Sequence, residues 1–244
     1  MPEQLDPLAI RREAREAMQA ARVPPLRFTA VYFAATIALS LVDAAAGRVL
    51  GGVNVLSFSL SFVSILVSLV VTVLSAGYAC YCLRVQRGEY APIETLLDAF
   101  PFAGKVVALT LLQGVLIGVG LTLFVVPGVV AALTYPLALF HLCEEPERGV
   151  LDAMRRSRAE MRGRRWAFFL LHVGFLPLLL LAALALLASQ EILSPLFPNT
   201  LAGDLEFVLA SGALTAAAEL ILRPWLVLAR VVFYRRTAAV KIEL

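Results

Sequence analysis

The stretch from Val106 to Leu142 reads VVALTLLQGVLIGVGLTLFVVPGVVAALTYPLALFHL and contains no Asp, Glu, Lys or Arg. As one helix, at about 1.5 Å per residue, it would be roughly 55 Å long, against a bilayer hydrocarbon core of about 30 Å. Tilting does not absorb such an excess. The stretch has to turn back. Pro127 and Gly128 are the residues able to break it, since proline lacks a backbone donor and glycine tolerates unusual backbone angles. The turn from Phe124 to Val129 carries no polar side chain. That places it at or just inside the outer membrane surface, with its freed backbone groups satisfied by neighbouring helices.

Four further apolar runs flank this hairpin. With its two arms they give six expected spans: Phe28–Ala46, Phe58–Leu83, Val106–Val125, the shorter Gly128–Leu142, Trp166–Ser189 and Phe207–Tyr234. The expected fold is all-α: a six-span polytopic transmembrane bundle over residues 28–234, an amphipathic N-terminal helix within 1–27 and a tail at 235–244. Composition agrees. With 60% hydrophobic residues, 16% charged and a mean hydropathy of +0.84, the chain has more apolar surface than a soluble core of this size would bury.

The positive charges give the orientation. Nineteen of the 21 Lys and Arg residues fall into four clusters. They are Arg11 to Arg27, Arg84 to Lys105, Arg148 to Arg165, and Arg230 to Lys241, with only Arg48 and Arg223 outside. By the positive-inside rule both termini and the two middle clusters face the cytoplasm, and the loops around Arg48, Pro127 and Pro195 face out. The longest outer loop, Gln190 to Glu206, carries acidic residues and no Lys or Arg. Glu3, Asp6, Glu13 and Glu16 precede the first apolar run, so that run is expected to be a retained span and not a secretory signal. The basic residues lie where loops meet lipid headgroups, so anionic lipid is the expected partner and nucleic acid is not. Cys80, Cys82 and Cys143 map near the reducing side and are odd in number, which argues against a disulfide framework.

Three inner segments read as short amphipathic helices leading into spans: Leu5–Ala21, Pro92–Phe102 and Glu147–Arg162. In the third, Val150, Leu151, Met154, Ser157 and Met161 share one face while most of the arginines take the other, so the helix is expected to lie flat among headgroups. Arg155, Arg156, Arg162, Arg164 and Arg165 are the candidate headgroup contacts. Leu97-Asp98-Ala99-Phe100 echoes Leu151-Asp152-Ala153-Met154, which suggests a threefold repeat of in-plane helix and hairpin. Ordinary drift of inner loops toward this composition gives the same echo.

The region Gly77 to Phe175 resembles a bacterial family of integral membrane proteins catalogued as domain of unknown function 975. That family is grouped with the membrane domains found beside glycerophosphodiester phosphodiesterases. The matching elements are Arg87-Gly88-Glu89, the run Leu-Phe-Val-Val-Pro-Gly ending at Gly128, Tyr135, and the series Ala153, Ser157, Met161, Gly163 and Trp166. The resemblance implies six spans and no assigned activity, and it brings no catalytic residues.

Glu219 and Arg223 are the sharpest candidates for a site. They lie four residues apart near the middle of the sixth span, and an arginine at mid-bilayer costs roughly 2.5 to 3.5 kcal/mol on insertion scales. The pair is either a binding site for an anionic headgroup, a substrate or a proton, or a self-neutralised structural clamp. Ser57, Ser61, Ser64, Ser68, Thr72 and Ser75 form a polar stripe on the second span. Such a stripe serves close helix packing or lines an aqueous path, and Ser61, Ser64 and Ser68 are the candidate binding residues. Gly114 and Gly118 offer a second close-packing surface, and Asp43 is expected to sit near water with Arg48. His141 and His172 have no carboxylate or cysteine at metal-ligand spacing, and no nucleophile elbow or phosphate loop is present, so no metal, cofactor or catalytic residue is expected. The leading expectation is a non-enzymatic multi-pass protein of the bacterial inner membrane that packs with lipids, a protein partner or a second copy. The alternative is a small permease or lipid transporter using Glu219 and Arg223. A membrane-embedded lipid enzyme would need Asp43, Glu219 and His172 to converge.

Overall fold

The computed structural model describes residues 5–21, 24–50, 57–197 and 200–239, and every regular element among them is helical. Ten α-helices follow in order: α1 Pro7–Ala20, α2 Pro25–Leu50, α3 Ser57–Gln86, α4 Ala103–Leu123, α5 Val125–Ala132, α6 Ala138–Glu144, α7 Val150–Glu160, α8 Arg165–Val173, α9 Leu176–Leu193 and α10 Leu201–Ala239. Short 3₁₀ turns occupy Ile93–Leu97, Phe100–Phe102 and Ser194–Leu196.

Prolines decide where helices stop. A proline ring collides with the carbonyl four residues before it, and it has no N–H to donate to that carbonyl. Leu97, Leu123, Ala132 and Val173 each end a helix, and each stands four residues ahead of a proline: Pro101, Pro127, Pro136 and Pro177. The expected break at Pro127 and Gly128 therefore comes earlier, at Phe124, whose backbone is extended (φ −158°, ψ 141°). Pro127 itself sits in the first turn of α5, where a missing N–H leaves nothing unpaired.

The same rule bears on the expected spans. Among the described residues three segments are long and apolar enough to cross a membrane, Pro25–Gly47, Phe62–Gln86 and Ile93–Leu123, and a fourth is added if the bent pair Ala202–Ala217 and Leu222–Ala238 counts as one. The expected fourth span is split into α5 and α6, and the expected fifth into α8 and α9. The expected outer loop Gln190–Glu206 is largely helical, since α9 runs to Leu193 and α10 begins at Leu201.

The chain divides into two compact units, and it passes between them four times. One comprises Met1–Pro25, Thr72–Phe175 and Pro224–Leu244; the other comprises Leu26–Val71 and Leu176–Arg223.

In the first unit, Val73, Ala76 and Cys80 of α3 meet Ala99, Phe102, Val106 and Leu109, then Ala138 and Leu142 of α6 and Ala153 and Met154 of α7. Two glycine contacts set how closely this unit packs. A Cβ on Gly77 would lie 2.0 Å from the carbonyl oxygen of Leu96, and one on Gly120 would lie 2.7 Å from the Cα of Gly128. The α4–α5 hairpin thus closes on Gly120 and Gly128. Gly114 and Gly118, expected to be the contact, face open space.

The three inner segments differ from the expectation in kind. Residues 93–102 form 3₁₀ turns instead of an α-helix, with Thr95, Leu96, Ala99 and Phe102 buried. The apolar faces of α1 (Ile10, Ala14) and α7 (Ala153, Met154, Ser157) are covered by protein, so neither helix presents that face to lipid. The difference between 3₁₀ and α geometry leaves the threefold echo without a common structural unit.

In the second unit, Gly212 of α10 lets Ile37 of α2 approach, a Cβ there falling 2.9 Å from Cγ1. A crevice of about 400 Å³ runs beside this contact, lined by Phe33, Thr36, Ser40, Phe207, Ser211 and Thr215 among others. Each of its four hydroxyls donates to a carbonyl of its own helix, which leaves the walls apolar.

Candidate functional site

Arg223 is held on three sides within the second unit. Nη1 is 3.4 Å from Oε2 of Glu219, one helical turn back, as the four-residue spacing implies. Nη2 donates to the hydroxyl of Tyr32 at 2.8 Å. The guanidinium also lies over two rings, 4.3 Å from the centroid of Tyr32 and 5.6 Å from that of Phe33. Tyr32 is buried, and the Arg223 side chain is 27% exposed. Tyr32 stands seven residues into α2 from Pro25, a rise of roughly 10 Å. Its partner places Arg223 beside the N-terminal part of α2, one to two turns past Arg27. Tyr32 and Phe33 were missed in the sequence because they lie 191 and 190 residues from Arg223; an aromatic pair near the start of a span was the only local signal.

The serine stripe is a separate feature. Ser64 donates to Oδ1 of Asp43 at 2.6 Å, so the partner found for Asp43 is a serine. Ser64 and Ser68 are exposed on α3, while the side chains of Arg48, Ser57 and Ser61 lie outside the described ones. No described contact joins the stripe to Glu219 or Arg223. His172 also goes its own way. Its Nδ1 is 2.9 Å from the carbonyl of Phe168, and its Nε2 accepts from Nε of Arg230 at 3.0 Å, which fixes a neutral ring. Asp43, Glu219 and His172 thus each have their own partners. Among the described residues no group of three His, Cys, Asp or Glu side chains could hold a metal ion.

The first unit holds a polar chain that sequence reading did not find. Arg87 pairs with Glu144, Glu144 accepts from the hydroxyl of Tyr234, and that hydroxyl is 3.1 Å from Nδ1 of His141. Nε2 of His141 meets Oε2 of Glu160 at 3.0 Å, both side chains being more than nine-tenths buried. Three helices, α6, α7 and α10, are joined by this chain to the turn that follows α3. The only hint in the sequence was that His141 and Tyr234 each end an apolar run. Nearby, Ser157 donates to the carbonyl of Thr134 at 2.8 Å in full burial. Arg148, 5% exposed, is pinned by Glu145 and Asp152; chiefly the Glu145 hydrogen bond holds its guanidinium above the ordinary arginine value, against desolvation.

Beside the chain lies a cavity of about 420 Å³ whose walls include Arg84, Arg87, Glu89, Asp98, Glu144 and the Cys80–Cys143 pair. Arg84 is ion-paired to Asp98 and donates to Thr95 at 3.1 Å. The two cysteines form a disulfide with a Cα separation of 5.5 Å, a single bridge where the reducing side and the odd count argued against a framework. An odd count excluded a framework but not a single bridge, and 63 residues separate the partners. Cys82 is buried and takes no part in it.

The candidate headgroup arginines divide. Arg155, Arg156 and Arg162 are exposed, Arg156 lying 3.5 Å from Asp152. Arg164 turns inward and donates to the carbonyl of Thr237 at 3.0 Å, one of the last carbonyls of α10, and Arg165 is half-buried. Exposed Arg158 completes a row that was not singled out before: Leu151, Arg155, Arg158, Arg162 and Trp166, all exposed and spaced three or four residues apart.

A family model described as protein of unknown function (DUF975) matches residues 115–241, just over half of the chain. The chain belongs to the DUF975 family. The matched part of this DUF975 chain holds α7 with its arginine row, His141, Tyr234, and the Glu219 and Arg223 pair. Arg87-Gly88-Glu89 lies ahead of it. No curated protein and no solved structure matches the chain.

Proposed function

We propose that this DUF975 chain is a non-enzymatic, multi-pass protein of the bacterial cell membrane, a structural or accessory component whose basic inner surface sits on anionic lipid headgroups. The observation that carries the reading belongs to the first unit. In the segment Ile93–Leu123 only 11% of the most apolar window is buried, and Leu111, Val115, Val119 and Leu123 stand exposed along α4. So much exposed apolar surface on one helix needs lipid or a partner to cover it. The row Leu151, Arg155, Arg158, Arg162 and Trp166 supplies the complementary edge, since arginines and tryptophan are the side chains that settle at a headgroup layer.

In this reading both termini and the arginine clusters face the cytoplasm. The broken pairs α5–α6 and α8–α9 complete six crossings, prolines being tolerated in membrane helices where neighbours satisfy the freed carbonyls. The three-sided hold on Arg223 supports a clamp in preference to a transport site, because its donors and its cationic face are already engaged.

The test is lipid dependence. The protein is reconstituted into nanodiscs of phosphatidylcholine alone or with phosphatidylglycerol, and its thermal midpoint is followed for the native chain and for Arg155→Gln/Arg158→Gln/Arg162→Gln. Anionic lipid should raise the midpoint of the native chain and leave the triple variant unmoved, with the gain fading as salt rises. Equal midpoints in both lipids for the native chain would sink the proposal.

A further inference from the structure

We infer that Cys80 and Cys143 form a thiol–disulfide exchange site, reached through the 420 Å³ cavity by low-molecular-weight thiols and closed to protein oxidoreductases. Both sulfurs line that cavity, whose volume falls in the range of small-molecule sites. Cys80 is 8% exposed, so the bridge lies in a wall and not on a projecting loop that a folded reductase could grip. The chemistry does not depend on which side of a membrane the cavity faces.

Three placements favour exchange over an inert bridge. Cys143 is the more open of the two, half-buried where Cys80 is buried, so attack is directed to its sulfur. Arg84 follows Cys80 by one turn of α3 and lines the same cavity, so its guanidinium, paired with Asp98, puts a cation on the wall from which Cys80 must leave as thiolate. The carbonyl of Ala76 lies 3.8 Å from the Cys143 sulfur, so the reduced thiol has an acceptor ready without rearrangement.

The balance is simple. A thiolate attacks Sγ of Cys143, the S–S bond breaks, and its electron pair leaves on Sγ of Cys80, which then takes a proton. A second thiol attacks the sulfur of the first in the mixed disulfide, releasing a small disulfide and the Cys143 thiol. Two electrons pass from two small thiols to the protein, and the tie between α3 and α6 is undone. Oxidation by a small disulfide is the reverse sequence.

The test uses the full chain in detergent, acid-quenched, denatured and labelled with a polyethylene-glycol maleimide that retards each thiol on a gel. The oxidised protein should show one adduct, from Cys82, and the reduced protein three. Treatment with 2-mercaptoethanol or glutathione should convert one adduct to three, and oxidised glutathione should reverse it. Thioredoxin with its reductase and NADPH, and no small thiol, should leave one. Arg84→Gln should slow the 2-mercaptoethanol reaction about tenfold and Arg84→Lys should restore it. A bridge inert to small thiols, three adducts even after oxidised glutathione, or reduction by thioredoxin as fast as by glutathione would each overturn the inference. Those three comparisons use the unsubstituted protein, so they stand whether or not the Arg84 variants fold.

Discussion

The contact between Arg223 and Tyr32 predicts a measurable coupling. Tyr32→Phe keeps the ring under the guanidinium and removes only the hydroxyl that accepts from Nη2 at 2.8 Å. A hydrogen bond to a charged group contributes about 1.5 to 3 kcal/mol in soluble proteins. Helix-to-helix bonds measured inside a membrane fall to roughly 0.6 to 1.7 kcal/mol, because the unfolded helices find other partners. Arg223 is 27% exposed and Tyr32 is buried, so the coupling between Tyr32→Phe and Arg223→Gln should be about 1 to 1.5 kcal/mol. Tyr32→Leu, which also removes the ring, should raise the coupling by about 0.5 to 1 kcal/mol more. The Glu219 pair is left out of this sum, since its carboxylate is 36% exposed and solvent screens it. The assay is a double-mutant cycle on reversible unfolding in mixed micelles. Effects additive to within about 0.3 kcal/mol would refute the clamp, because groups in contact should not behave as distant sites do.

Three further outcomes follow from buried contacts. Gly77→Ala should cost about 2 kcal/mol or more, because the backbone of Leu96 cannot swing aside as a side chain would; an unchanged thermal midpoint would count against the packing described. Ser157→Ala should lose about 1 to 2 kcal/mol by leaving the Thr134 carbonyl without its donor, and Ser157→Thr should clash, both read as a fall in unfolding midpoint. Tyr234→Phe should destabilise by a similar amount, since Glu144 and His141 both lose the hydroxyl; a neutral result would mean that the polar chain does not tie α6, α7 and α10 together.

Local rules made part of this structure legible. The uncharged run from Val106 turns back as its length demands, and Glu219 meets Arg223 because spacing on a helix is a local property. The break falls at Phe124, the first residue of the expected turn, because a proline acts on the carbonyl four positions earlier. The same reach of four residues divides the expected fourth span into α5 and α6 and the expected fifth into α8 and α9. The in-plane helices were misjudged for another reason. An amphipathic pattern states that one face is covered, and it does not say whether lipid or protein covers it. The candidate sites depended on distance in sequence. Tyr32 with Arg223, Cys80 with Cys143, and His141 with Tyr234 are 191, 63 and 93 residues apart, beyond the reach of any periodicity.

The passage of the chain four times between units bears on how the protein is made. Glu13 on α1 is joined to Arg236 on α10, more than two hundred residues later, and Tyr234 fills a buried place among residues synthesised about ninety positions earlier. The unit that contains both Glu13 and Arg236 cannot be finished until α10 has been made. During that interval the polar faces of α1 and α6 wait without their partners, and the second unit, whose latest residue is Arg223, has all of its segments first. Maturation should therefore run from the internal unit to the one that contains the termini, and a C-terminal deletion that removes α10 beyond Pro224 should leave the earlier helices inserted yet unclosed.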